Sequence, residues 1–187
     1  MARNPLTLVP NQITIARILA ILPIVALVMG GDPAMRVVAL LLYVLAAVSD
    51  WFDGYLARAW NQYSPLGRML DPIADKMLVG ILLTALAWDG SFSALDMVPV
   101  VAILFRELFI PGLREFLGNN QVVLHVTKLA KWKTTVQLVA LAIVLAEGFL
   151  PQLWPLSDFV LWLAGILTVW TGWDYLRSAW PHLRGEA

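Results

Sequence analysis

The sequence contains no cysteine and only two histidines among its 187 residues. The lack of cysteine excludes disulfides, thiolate metal ligands and cysteine nucleophiles. Charged residues are also scarce, at 14% of the chain, and 13 basic side chains balance 13 acidic ones. A chain with no net charge lacks the positive field that attracts nucleic acid. By contrast, 60% of the residues are hydrophobic and the mean hydropathy is +0.75. Soluble domains are about a quarter charged, so this composition indicates a helical membrane protein.

Six apolar segments are long enough to cross a bilayer, which takes about 20 residues. They are Ile13–Met29, Pro33–Trp60, Leu66–Trp88, Ala94–Phe116, Thr127–Ala146 and Leu156–Leu176. Short connectors rich in Gly, Pro and Asp separate several of them. We therefore expect an all-α fold, a bundle of six transmembrane helices forming a single integral membrane domain over residues 1–187. A short interfacial segment within residues 1–12 precedes the bundle.

Basic residues are distributed unequally between the two sides of this predicted bundle. One side, which includes both termini, receives Arg3, Arg58, Arg68, Arg114, Lys128, Lys131, Lys133, Arg177 and Arg184. The other side holds only Arg36. Because basic loops stay in the cytoplasm, the bias predicts an inner (cytoplasmic) membrane protein with both termini in the cytoplasm.

Four aspartates lie where the second predicted span ends and the third begins. Asp50 and Asp53 are three residues apart and Asp71 and Asp75 are four apart, so each pair shares one helix face. A short connector makes the two helices antiparallel neighbours, and the pairs then lie at similar depth. Four such carboxylates repel one another unless some are protonated or cations hold them together. Hard oxygen ligands favour Mg²⁺, Mn²⁺ or Ca²⁺, and we expect one or two ions of Mg²⁺ or Mn²⁺.

Small residues accompany the acids on the same helix face. Gly54 and Ala57 leave room for a flat or phosphorylated group to approach the backbone. The alternative is that they only allow close helix packing, which is common in membrane bundles.

The complete pattern over residues 50–75 reads D-x2-D-G-x2-A-R-x8-G-x3-D-x3-D. It resembles the signature of the CDP-alcohol phosphatidyltransferase family at every fixed position. The resemblance implies a six-helix membrane enzyme, usually a homodimer, whose active site opens to the cytoplasm. Family members transfer a phosphatidyl or similar group from a CDP-linked donor to an alcohol and release CMP. By the same resemblance, Asp50, Asp53, Asp71 and Asp75 are metal ligands, and Asp75 is also the general base.

The resemblance also implies a binding site for the donor, CDP-diacylglycerol. Within the motif, Gly54, Ala57, Arg58, Ser64 and Gly67 are its expected contacts, although Ser64 is equally compatible with an ordinary turn hydroxyl before Pro65. Asn11, Thr14 and Arg17 recur every three residues on one helical face and are candidates to contact the nucleotide or diphosphate. Helix capping and interfacial anchoring are the alternative for these three.

Further blocks narrow the resemblance to the branch of the family whose acceptor is glycerol 3-phosphate. They are residues 9–17, 106–108, 112–115 and 130–137. Arg106, Arg114, Lys131 and Lys133 would form a cationic pocket for the acceptor's phosphate. Alternatively, Arg106 forms an internal ion pair, and the two lysines are anchors that snorkel to the interface.

Two other functions remain open from the sequence. One is a different member of the same family, with serine or an inositol phosphate as acceptor. The other is a divalent-cation transporter, because acids in membrane helices also line ion pathways.

Overall fold

A computed structural model describes residues 8–60, 62, 64–119, 122 and 128–185, without the side chains of residues 128, 130 and 131. The helices are α1 (Val9–Met29), α2 (Pro33–Ala59), α3 (Pro65–Trp88), α4 (Met97–Asn119), α5 (Lys128–Glu147) and α6 (Trp154–Leu183), with a 3₁₀ turn at Pro151–Leu153. No strand occurs in these ranges. The prediction of an all-α chain with six helices is confirmed. Residues 1–7 of the expected interfacial segment lie outside the described residues.

Four helix boundaries differ from the sequence expectation by three residues or more, one of them the end of α4 at Asn119, three residues past the predicted Phe116. Helix α1 begins at Val9, four residues before the predicted start. Helix α4 begins at Met97 rather than Ala94, because Asp96 accepts a hydrogen bond from the backbone N–H of Ser93 and closes a turn. Helix α6 continues to Leu183, past the predicted end at Leu176. The end of an apolar run marks where a helix leaves the hydrocarbon, and the backbone stays helical beyond that point.

Side-chain caps fix the starts of α2 and α3. Asp32 accepts a hydrogen bond from the backbone N–H of Ala34 at 2.7 Å. Ser64 accepts one from the backbone N–H of Gly67 at 2.9 Å. Each cap is followed by a proline at the first helical position, where the missing N–H costs nothing. Ser64 therefore sets where the second pair of motif aspartates enters its helix.

Among the described residues, three segments are long and apolar enough to cross a membrane on length and composition: Val9–Met29, Pro33–Ala59 and Pro151–Leu183. Many of their exposed side chains are apolar, among them Leu22, which is 70% exposed, and Leu45, which is 66% exposed. Lipid, rather than water, suits such a surface. Helices α3, α4 and α5 are 24, 23 and 20 residues long, and their spanning the membrane stays a prediction.

The chain divides into two compact units. The first contains α1, α2, α3 and Leu141–Leu153, and the second contains Phe92–Ala140 and α6. In the first unit, α1 packs against both α2 and α3. In the second, α4 packs on α6, where Gly165 admits Pro99 so closely that a β-carbon on the glycine would lie 2.6 Å from the proline ring.

One stripe of α1 faces the interior of the first unit along the whole helix. Its second half is apolar, with Ile21, Ile24 and Val28 at most 2% exposed. Its first half is polar, and Asn11, Thr14 and Arg17 are equally buried, again at most 2% exposed. Apolar packing thus holds one end of the three helices together, and the polar half meets the aspartates at the other end.

Candidate active site

Arg17 is the centre of the acidic site. Its Nη1 donates to Asp50 Oδ1 at 2.5 Å and to Asp75 Oδ1 at 2.7 Å, and its Nη2 donates to Asp53 Oδ2 at 2.7 Å. One guanidinium on α1 therefore joins carboxylates from α2 and α3. The planar fork of arginine suits this role, because it presents several N–H donors in fixed directions.

Thr14 brings the fourth aspartate into the same group. Its hydroxyl lies 3.2 Å from Asp53 Oδ2 and 3.1 Å from Asp71 Oδ1. The backbone carbonyl oxygen of Pro10 also lies 3.1 Å from this hydroxyl, which has one proton and donates to one of the three acceptors at a time. The four aspartates of the motif thus converge on two neighbouring side chains of α1. We call Asp50, Asp53, Asp71, Asp75 and Arg17 the acidic cluster.

The acidic cluster is buried on one side and open on the other. The Arg17 side chain is 1% exposed and that of Asp53 is 5% exposed. Asp50 and Asp75 are 44% and 45% exposed. A ligand that reaches the cluster therefore meets Asp50 and Asp75 first, while Asp53 lies beneath them.

The donor set of the acidic cluster fits a hard divalent cation. Four carboxylates and the Thr14 hydroxyl supply only oxygen ligands, which is what Mg²⁺ and Mn²⁺ prefer. One guanidinium supplies a single positive charge for four carboxylates, so a divalent cation would find charge there to neutralise. Within the described part of the chain, no three His, Cys, Asp or Glu residues are arranged as a ready metal cage. Asp50, Asp53 and Asp75 contact Arg17 instead, and Asp71 contacts Thr14. The role of the four carboxylates as metal ligands stays a prediction.

Asn11 and Ser64 connect α1 to the start of α3. Asn11 Nδ2 donates to Ser64 Oγ at 2.7 Å, and Ser64 is the α3 cap. Gly67 lies directly against this pair, and a β-carbon there would be 2.5 Å from Asn11 Oδ1. Ser64 therefore does act as the turn hydroxyl considered from the sequence, because it caps α3. The structure also places it, with Asn11 and Gly67, next to the segment that carries Asp71.

Gly54 and Arg58 lie one helical turn apart on α2. A β-carbon at Gly54 would be 3.7 Å from Arg58 Nη1, so the arginine side chain folds back over the glycine. Arg58 is exposed, and Gly54 and Ala57 are half-buried. An exposed guanidinium above a residue without a side chain is an arrangement that a phosphate can approach. Contact with the donor stays a prediction for all three.

A second polar group occurs in the other unit, around Glu107. Glu107 Oε1 accepts hydrogen bonds from Lys133 Nζ and, at 3.2 Å, from Arg106 Nη1. Beside them, Gln137 Nε2 donates to Thr168 Oγ1 at 2.8 Å. The Lys133 residue is 1% exposed. Sequence reasoning missed Glu107 as the shared acceptor; the only signal was its position next to Arg106.

The four predicted acceptor residues differ in their surroundings. Arg106 and Lys133 meet through Glu107, whereas Arg114 is exposed and makes no ion pair with any residue that the structure describes. The side chain of Lys131 lies outside the described residues. Arg106 also lines an apolar groove of about 730 Å³ between α4 and α6, and its buried Nε has no hydrogen-bond partner among the residues that the structure describes. The internal ion pair considered for Arg106 is present, and binding of an acceptor phosphate stays a prediction.

Comparison with known proteins identifies the family of this chain. The sequence model of the CDP-alcohol phosphatidyltransferase family matches residues 7–170. A CDP-diacylglycerol–glycerol-3-phosphate 3-phosphatidyltransferase of Cereibacter sphaeroides is 40% identical, over 95% of this chain and 98% of its own. Proteins of the same name from Rickettsia bellii and Bacillus subtilis are 42% and 34% identical, over 90% and 94% of this chain and 93% and 96% of theirs. The match spans both the helices that carry the aspartates and those that carry the basic residues, and the chain belongs to the CDP-alcohol phosphatidyltransferase family.

Proposed function

We propose that this chain transfers the phosphatidyl group from CDP-diacylglycerol to glycerol 3-phosphate, giving phosphatidylglycerophosphate and CMP. The observation that carries the proposal is the convergence of Asp50, Asp53, Asp71 and Asp75 around Arg17 and Thr14. The choice of donor and acceptor is taken from the names of the relatives given above.

Metal binding is part of the proposal. Members of the family use divalent metals in catalysis. In this chain Asp50, Asp53, Asp71 and Asp75 would hold one or two Mg²⁺ or Mn²⁺ ions, which supply charge neutralisation for a diphosphate and for the leaving CMP.

Asp75 is the proposed general base. Its carboxylate is half-exposed, so an acceptor hydroxyl can reach it, and its contact with Arg17 fixes its orientation. Asp75 takes the proton of the 1-hydroxyl of glycerol 3-phosphate while that oxygen bonds to the β-phosphorus of the donor. The bond from this phosphorus to the bridging oxygen breaks, and CMP leaves with the electron pair. Positioning and electrostatics supply most of the rate in such transfers.

The donor site would be formed by the residues around the open side of the acidic cluster. Arg58, exposed above Gly54 and Ala57, is the best placed to hold a donor phosphate. Asn11, Ser64 and Gly67 already contact one another and would shape the adjoining wall. Thr14 and Arg17 contact the motif aspartates, and their direct contact with the donor's nucleotide or diphosphate stays a prediction.

The acceptor's phosphate would be held by the basic residues of α4 and α5. Arg114 is exposed, and Arg106 has a buried Nε that lacks a partner, so these two have the strongest structural support. Lys133 is buried against Glu107 and would have to leave it to touch the phosphate directly. Lys131 completes the proposed set.

The proposal also includes the orientation of the chain in the membrane. The chain is a membrane protein, and we place it in the inner (cytoplasmic) membrane as one integral domain, with both termini and the acidic cluster at the cytoplasmic side. The support is the excess of basic residues on that side and the three helices that are long enough to span. We also propose a homodimer, as is usual in the family.

The test is CMP release by the purified protein in mixed micelles of CDP-diacylglycerol. Glycerol 3-phosphate, serine and an inositol phosphate are compared as acceptors, with Mg²⁺ or with a chelator. We expect release that requires both glycerol 3-phosphate and the metal, with Asp75→Asn as the inactive control. Preference for another acceptor would reassign the chain within its family. Metal flux in proteoliposomes without CMP release would favour a cation transporter.

A further inference from the structure

The two ends of the Arg17 fork face different surroundings. Nη2 binds Asp53, which is 5% exposed, whereas Nη1 binds Asp50 and Asp75, which are nearly half-exposed. One end of the guanidinium is therefore enclosed in the helix packing. The other end lies at the opening through which a ligand enters.

Arg17 Nη1 lies between two carboxylate oxygens, Asp50 Oδ1 and Asp75 Oδ1, that a bridging cation would contact. Asp50 Oδ1 and Asp75 Oδ1 lie within hydrogen-bond distance of the same nitrogen atom. An ion that bridges these two oxygens must take them from Nη1 or crowd the guanidinium. Two cations attracted to the same pair of carboxylates repel each other, and a partly buried site increases that repulsion.

We infer that Arg17 is a resident counter-cation that holds the acidic cluster together before a divalent ion binds and competes with that ion for Asp50 and Asp75. Asp53 is its permanent partner, and the contacts of Nη1 are exchanged when the ion enters. Arg17 is thus a positioning residue that acts through the aspartates. The inference deepens the proposed function, since it rests on divalent-ion binding at the same cluster.

The test measures thermal unfolding of the purified protein in chelator and in a series of Mn²⁺ concentrations, for the wild type and Arg17→Gln. In chelator the variant should melt lower by roughly 10 °C, because the buried carboxylate of Asp53 loses its cation and the repulsion among the aspartates is no longer balanced. Saturating Mn²⁺ should raise its Tm by more than it raises that of the wild type. The Mn²⁺ concentration for half of that rise should be at least about tenfold lower in the variant, because a competing charge is gone.

Arg36→Gln is the matched control in the same unit. Arg36 is also a buried arginine: it pairs with Asp89, and its Nη2 donates to Ser91 Oγ at 2.7 Å, but it touches none of the four motif aspartates. This variant should lose stability equally in chelator and in Mn²⁺, so its metal-induced rise should equal that of the wild type.

Arg17→Lys keeps the inference testable if Arg17→Gln does not fold. A lysine retains the charge but cannot reach three carboxylates through one planar fork, so its metal-induced rise should lie between those of the wild type and Arg17→Gln. The inference would be overturned if Mn²⁺ raised the Tm of Arg17→Gln by no more than it raises that of the wild type. If only Arg17→Lys folds, the same comparison applies to that variant. The inference would also be overturned if Mn²⁺ raised the Tm of neither the wild type nor the variant. CMP release with glycerol 3-phosphate by the wild type decides the proposed function separately.

Discussion

Arg17 donates a hydrogen bond from Nη1 to Asp75 Oδ1 at 2.7 Å, across 58 positions of the sequence. The contact connects the one basic residue of α1, a helix that the structure describes in full, to the carboxylate proposed as the base. It leaves Asp75 half-exposed, so the aspartate is held in place and remains accessible. An oriented and accessible carboxylate is what proton transfer from an acceptor hydroxyl requires.

Asp75→Asn should abolish turnover, with a loss of about 10²–10⁴-fold in kcat, since the amide cannot take the proton. Donor binding should be partly retained, because Asp50, Asp53 and Asp71 remain. Turnover is measured as CMP release and donor affinity by equilibrium binding. The control is Asp32→Asn, an exposed helix cap whose function asparagine can replace. Near-normal activity of Asp75→Asn would disprove the assignment of the base.

Gly67→Ala should raise the apparent KM for CDP-diacylglycerol. The added β-carbon would lie 2.5 Å from Asn11 Oδ1, so Asn11 must move and lose its hydrogen bond to Ser64. Gly112→Ala is the control, because a β-carbon there meets nothing within 4 Å. That helical replacement should leave the KM unchanged and stabilise the fold by about 0.5–1 kcal/mol. An unaltered KM in both variants would remove Gly67 and Asn11 from the donor site.

Glu107→Gln should destabilise the protein by about 3–5 kcal/mol, because it removes the carboxylate that faces the buried ammonium of Lys133. Thermal unfolding monitored by tryptophan fluorescence measures the loss. The double variant Glu107→Gln/Lys133→Met removes both charges and should recover much of the stability. If the double variant were less stable than Glu107→Gln alone, the pair would not be the source of the effect.

Arg106→Ala and Arg114→Ala should mainly raise the apparent KM for glycerol 3-phosphate, because each removes a cation that we assign to its phosphate. Arg114 is exposed, so its variant should keep the wild-type melting temperature. Arg177→Ala, a change of another exposed arginine in the same unit, should alter neither value. Initial rates over a range of acceptor concentrations distinguish these outcomes. An unchanged acceptor KM in both Arg106→Ala and Arg114→Ala would argue against the phosphate pocket.

The sequence predicted the helices and the aspartate quartet because both depend on local spacing. A run of apolar residues indicates a helix, and acids three or four positions apart share a face. It also placed Asn11, Thr14 and Arg17 on one face, but it could not say what that face touches. Their partners lie 33 to 58 positions away and are brought near only by the packing of α1 on α2 and α3.

The contacts of Lys133 also could not be predicted from the sequence. Its position near the start of α5 is compatible with an anchor that extends to the interface. The rotation of α5 about its own axis determines where the Lys133 side chain points, and in the structure it points inward to Glu107. Hydropathy does not fix that rotation, because Lys133, Thr134 and Thr135 follow one another and place polar side chains on several faces of α5.

Anomalous diffraction from crystals of the protein grown with Mn²⁺ tests the binding of divalent ions by the acidic cluster most directly. We predict one or two manganese peaks bonded to carboxylate oxygens of Asp50, Asp53, Asp71 and Asp75, with the Nη1 atom of Arg17 moved away from Asp50 and Asp75. A protein that releases CMP in the same Mn²⁺ buffer but shows no peak among these four side chains would contradict it.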